Sequence, residues 1–157
     1  MFSPDGRTLA VIDSVSNTVR FWDVHDPAHS RAFGGLVGGR GTPINSVAFD
    51  PRGDRLVTTS PDMTIRLWDF TDRAHPTTLG GSIIPPADSR FGWNLAFAPD
   101  GNHLVGTNAR GEIRWWDLDP DRVAQRLCQG STGVLTADVW RQYLPGVPYR
   151  AACEKQA

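Results

Sequence analysis

Lysine is almost missing from this 157-residue chain: Lys155 is the single one, and every other basic residue is arginine. Cysteine is nearly as scarce. Cys128 and Cys153 lie 25 positions apart, too few for a disulfide scaffold and without the paired spacing of a zinc site. Two small buried thiols are one reading of them. A single bridge tying the tail to the last strand is the other, and it would imply an oxidising compartment. Neither sign of charge dominates, since 16 basic and 17 acidic residues leave a net charge of -1. They are scattered, so there is no basic stripe for nucleic acid and no acidic disordered tail. No apolar run approaches the roughly 18 residues of a membrane-spanning helix, and the N-terminus shows no signal-peptide pattern. Nucleic acid and membrane are therefore not expected partners, and a globular cytoplasmic chain is. With 39% hydrophobic residues it is long enough to bury a core.

What the sequence does contain is a repeat. Phe2, Phe49 and Phe97 are 47 and 48 residues apart, and Trp22, Trp68 and Trp116 follow at 46 and 48. Internal periods of this size signal stacked or radial units. Each unit runs through an apolar stretch ending in Phe, a Pro and Gly turn, a second apolar stretch, a polar turn, and then VRFWDV, IRLWDF or IRWWDL. Short β-branched and aromatic runs between turn residues read as antiparallel strands. In the middle unit they are predicted at Ile44 to Phe49, Arg55 to Thr59, Thr64 to Phe70 and Thr77 to Gly80. No helical period is expected before the tail. In the third strand Ile65 and Leu67 face one way and Trp68 the other, because strand side chains alternate. Both faces are apolar, as in a sheet sandwiched between two like sheets.

These units resemble WD40 repeats of β-propeller proteins. The resemblance rests on "F-S/D/A-P-x-G" followed by "R-x-W-D", present three times between residue 1 and about residue 128. It implies an all-β fold: a fragment of about three four-stranded antiparallel blades, the first incomplete, plus a short C-terminal helical tail. The boundaries read as 1–38, 39–81 and 82–130 for the blades and 131–157 for the tail. The signature residues are Trp22 and Asp23, Trp68 and Asp69, Trp116 and Asp117. Asp62, with Thr58 or Ser60 and Trp68, matches part of the family's polar network, while Arg40 stands where a His is usual, so these blades are expected to depend more on apolar packing.

The tail LTADVWRQYLPGVPYRAAC carries a helix signature, with Thr136 as N-cap and Asp138 in the first turn. It resembles the C-terminal end of actinobacterial proteins that join a STAND-type nucleotide-binding module to a WD40 propeller. Cys128, Leu135, Thr136, Trp140, Pro148, Tyr149 and Cys153 match that pattern, and Val139 replaces its usual acid.

No catalytic, cofactor or metal residue is expected. The glycines of Gly34 to Gly41 lack the Lys-Ser/Thr ending of a phosphate loop and do not feed a helix. Asp117, Asp119 and Asp121 match the start of a calcium loop, but Arg122 takes the position that needs Gly, so the segment reads as a solvated turn. His25, His29, His75 and His103 read as surface residues, and no nucleophile elbow is present. The function expected is a non-catalytic interaction scaffold, the sensor or regulatory end of a larger bacterial signalling protein. Ile83, Ile84 and Phe91 in the second connector are a candidate partner surface, or else tuck between blades. Met1 and Phe2 fall at the last positions of a first strand. Completion by upstream blades, or self-association, is therefore expected, and a truncated gene product is the alternative.

Overall fold

Alternating side chains and short turns translate directly into a ladder of sheets. The computed structural model describes residues 1–38, 42–83 and 93–130. The first sheet has the order β1 (Thr8–Asp13), β2 (Thr18–Asp23), β3 (Arg31–Gly38). The second has four strands: β4 (Ser46–Phe49), β5 (Arg55–Thr59), β6 (Ile65–Asp69) and β7 (Thr77–Thr78). The third comprises β8 (Asn94–Phe97), β9 (His103–Thr107) and β10 (Ile113–Asp117). Every register described between neighbouring strands is antiparallel.

The repeat seen in the sequence is a repeat of register. Phe49 pairs with Leu56, Phe97 with Leu104, and Phe2 forms an isolated antiparallel bridge with Leu9. Met1 extends that bridge, its amino group donating to the Ala10 carbonyl at 3.0 Å while the Ala10 N–H donates back at 2.9 Å. The turns repeat as well. Asn17, Met63 and Gly111 occupy the same place between the second and third strands of each unit, with φ of 56°, 66° and 77°. That left-handed conformation is easy for Gly, tolerated by Asn and strained for Met.

The sheets stack face against face. Ala10, Val19, Phe21 and Val37 of the first meet Val47, Phe49, Leu56, Trp68 and Phe70 of the second in one buried cluster. Phe70 joins the layers: its ring centroid lies 4.6 Å from Phe21 and 5.5 Å from Phe49. Such aromatic pairs contribute about 0.5–1.5 kcal/mol each beyond their area. Between the second and third sheets, Arg55 donates to the Gly101 carbonyl at 2.6 Å and lies over the Phe97 ring at 5.8 Å. Gly106 leaves the space that the Trp116 ring fills, since a Cβ there would come within 2.7 Å of Trp116 Cζ3.

Two expectations need correcting. Among the described residues the third sheet has three strands where four were expected, while the first, expected to be incomplete, also has three and the middle one four. After β10 comes a helix, α1 (Pro120–Gly130), where a fourth strand and a solvated turn were expected. Its start is strongly specified. Pro120 pre-sets the first helical dihedral, and Asp119 accepts from the N–H groups of Asp121 at 3.0 Å and Arg122 at 3.2 Å. The chain divides into two units, Met1–Trp116 with the sheets and Asp117–Ala157 with α1. The helix predicted near Thr136 lies outside the described residues.

Candidate functional site

The WD signature residues are placed by the third strand of each unit and do two different things. The Asp residues close the turn that follows. Asp23 Oδ1 accepts from the His25 N–H at 3.2 Å, Asp69 Oδ1 from the Thr71 N–H at 2.9 Å, and Asp117 Oδ1 from the Asp119 N–H at 3.0 Å. Such Asx turns are local and self-contained. Of the Trp residues, Trp68 is hydrogen-bonded: its Nε1 donates to Thr58 Oγ1 at 3.0 Å in a buried setting. In the other units the position of Thr58 is held by Val11 and Gly106, which offer no hydroxyl. Asp62 accepts from the Thr64 N–H and hydroxyl at 2.9 and 2.7 Å. Its described bonds stay within its own turn. Arg40 lies outside the described residues.

A cleft of about 790 Å³ opens at the rim between the first and second sheets. Arg7, Asp23, His25 and Arg31 come from the ends of β1, β2 and β3, and Asp72 and Arg73 from the turn after β6. Ala32, Phe33 and Ala74 supply apolar lining. Arg73 is fixed across the sheet boundary, donating to Thr8 Oγ1 at 3.2 Å and Asp5 Oδ2 at 3.0 Å. Asp5 is held well below the usual carboxylate range by the Ser3 hydroxyl, then by the Arg7 N–H and Arg73. Arg31 lies 3.8 Å and His25 3.9 Å from Asp23. Arg7 and Arg31 are themselves exposed. The cleft is thus a mixed-charge groove with a small apolar lining, a composition suited to a protein surface.

The histidines have a pattern that sequence reading missed. His29, His75 and His103 each place Nδ1 against an Asp three residues earlier: Asp26 at 2.6 Å, Asp72 at 3.0 Å and Asp100 at 2.7 Å. The D-x-x-H spacing was the available signal. These pairs hold Asp26, Asp72 and Asp100 below the usual range, His contributing first for Asp26 and Asp72 and the Asn102 N–H first for Asp100. They are surface turn ties. Among the described residues no group of three or more His, Cys, Asp or Glu could hold a metal ion.

Ile83 of the expected partner surface lies at the outer edge of the second sheet. It exchanges backbone bonds with Ile65 at 3.0 and 2.8 Å and is half-buried. Ile84 and Phe91 lie outside the described residues, as do Cys153 and the side chain of Cys128. Among the described residues no helix is long and apolar enough to cross a membrane.

Comparison with known proteins matches residues 35–69 to the family described as WD domain, G-beta repeat. The matched segment holds β4, β5 and β6, so the chain carries a WD40 repeat, and the three antiparallel sheets are consistent with a fragment of WD40-like blades. None of the curated proteins compared with it matches. Among solved structures, the chain is similar to a Bacteroides uniformis protein described as a 6-phosphogluconolactonase, with a TM-score of 0.62 and 19% identity. The likeness covers 77% of this chain and 36% of that one, so this chain spans about a third of the other's length. At that identity the likeness concerns the fold alone.

Proposed function

We propose that this chain is a non-catalytic WD40-repeat interaction scaffold, its sheets being blades of a β-propeller. In this reading it forms the C-terminal sensor or regulatory part of a larger bacterial signalling protein and receives a protein partner in the rim cleft. The observation that supports the reading most is the cleft itself. Two stacked sheets hold it open from both sides, and its charged groups come from strand ends and from the turns beside them while the strands beneath keep one register. A rigid repeated frame that presents variable loops is what binding platforms use. The described cleft contains no metal-binding cluster, and its acids and His are engaged in turn closure or ion pairs.

The test uses the full chain as immobilised bait, beside the double variant Arg7→Glu, Arg31→Glu. Reversing two exposed cleft charges should weaken capture of the partner at least tenfold with an unchanged melting temperature, because like-charge contacts at an interface cost a few kcal/mol. An identical set of captured proteins on both baits would overturn the cleft as the binding surface. Hydrolysis of a sugar-phosphate lactone by the purified chain, above the uncatalysed rate, would overturn the non-catalytic reading.

A further inference from the structure

We propose that two copies of this chain associate head to tail, the outward face of the third sheet of one copy covering the outward face of the first sheet of the other. This goes beyond the scaffold reading and rests on the stacking of the sheets. Each sheet has two faces, and the repeat assigns every residue to one of them. The face that Ala10, Val19 and Phe21 define on the first sheet is buried by the second, and the equivalent Val57 and Ile65 on the second are buried as well. The opposite face, carrying Phe49, Leu56 and Trp68 on the second sheet and Leu95 and Leu104 on the third, is buried too. One pairing of faces is therefore seen twice within the molecule.

The two faces left over are one of each kind. On the third sheet Ile113 is 67% and Trp115 63% exposed, whereas the equivalent Val19 and Phe21 are 0% and 1%. On the first sheet Phe2 is 60% and Trp22 36% exposed, whereas the equivalent Phe49 and Trp68 are both 8%. The turns agree. A Cβ on Gly53 would meet Pro4 at 3.4 Å, and one on Gly101 would meet Pro51 at 3.6 Å, so each first turn packs on that of the preceding sheet. Gly6 has open space in the same position, and Pro99 is the exposed proline that would fill it from another copy. Each chain thus carries both halves of an interface whose geometry is already realised inside it. A heterologous contact of this kind closes when its rotation allows. Two copies of three sheets make six, within the four to eight blades at which propellers close.

Sedimentation equilibrium of the full chain, under reducing conditions at micromolar concentration, tests this. The expected species has twice the 17.2 kDa mass of one chain. Trp115→Asp alone and Trp22→Asp alone should each be monomeric, because either change spoils both contacts of the pair. An equimolar mixture of the two variants should dimerise again, since one intact pair of faces remains. Ile113→Lys replaces Trp115→Asp if circular dichroism shows that variant unfolded. A monomeric wild-type chain, dimers that survive either substitution, a mixture that stays monomeric, or chains that lengthen with concentration without stopping at two would each overturn the proposal.

Discussion

Thr58→Val isolates Trp68, the one of the three signature tryptophans with a side-chain hydrogen bond among the described residues. The substitution keeps the branched shape that suits β5 and removes the hydroxyl that accepts from Trp68 Nε1 at 3.0 Å. Thr58 is 3% and Trp68 8% exposed, so water does not readily replace the lost acceptor. A buried donor left without a partner costs about 1–3 kcal/mol. The methyl that replaces the hydroxyl returns less than about 1 kcal/mol of burial. The net expectation is a loss of about 1–2 kcal/mol, a sizeable share of the roughly 5–15 kcal/mol that holds a domain folded. Urea unfolding followed by tryptophan fluorescence reads this as a lower midpoint with an unchanged slope. In a double-mutant cycle, Trp68→Phe should cost about 1 kcal/mol less in the Val background than in the wild type. A wild-type midpoint for Thr58→Val, or a cycle without coupling, would refute the assignment of stability to this bond. The other units show why the effect should be local: Val11 stands beside a Trp22 that is 36% exposed, so its indole N–H is not forced to find a protein acceptor.

Two further expectations concern backbone strain and acid. Met63 holds φ of 66° where the equivalent positions carry Asn17 and Gly111, so Met63→Gly should raise the melting temperature by relieving about 1 kcal/mol of strain, less the entropy Gly costs; a lower melting temperature would show that the Met63 side chain contributes more than its strain removes. For pH, Asp13 is lowered to about 2, chiefly by the Ser16 N–H, and Asp69 is lowered by the Thr71 hydroxyl. With Asp5, Asp26, Asp72 and Asp100 also lowered, their stabilisation is present above the unfolded value of about 3.9 and is lost as pH falls through the folded values. Asp54 has the opposite sign: burial, then the Asp50 carboxylate, raise its pKa, so its favourable share is lost as pH rises through the folded value. The lowered group is larger, and the urea midpoint should fall from pH 5 to pH 2; a flat or rising midpoint would contradict it. Asp54→Asn should leave that acid limb in place.

The sheets were legible because their signals are redundant. β5 was expected at Arg55 to Thr59 and is found there, and β6 differs from its expected span by one residue at each end. Here alternation, turn residues and the repeat all agree. The helix α1 was missed although Asp119, Pro120 and Asp121 form an ordinary helix start. The expectation of a fourth strand, carried over from the preceding unit, outweighed a local signal that was itself clear. The bond between Thr58 and Trp68 was partly legible, as one of two hydroxyls offered to the indole, and the register selects Thr58 because it lies diagonal to Trp68 across the β5–β6 ladder. The rim cleft could not be read at all. Arg7, Arg31 and Arg73 are separated by 24 and 42 positions and meet only because one sheet packs on the next.

Arg73 shows how binding and stacking are joined in this molecule. It lines the cleft and also holds the second sheet to the first through Thr8 and Asp5. Its backbone carbonyl abuts Gly34, so that turn packs closely against β3 as well. Removing the side chain would leave the Thr8 hydroxyl, on a residue only 1% exposed, without this donor, and would take a cation away from Asp5. Lost partner binding in such a variant would therefore not distinguish a recognition residue from a structural tie. Arg7 and Arg31 differ in this respect: both are exposed at the cleft, and the described side-chain contact of Arg31 is a long 3.8 Å pair with Asp23 at the surface, of a kind worth little to stability. Charge reversal at these two positions alters what a partner meets while leaving the layers beneath in place, so a loss of capture there reports on recognition.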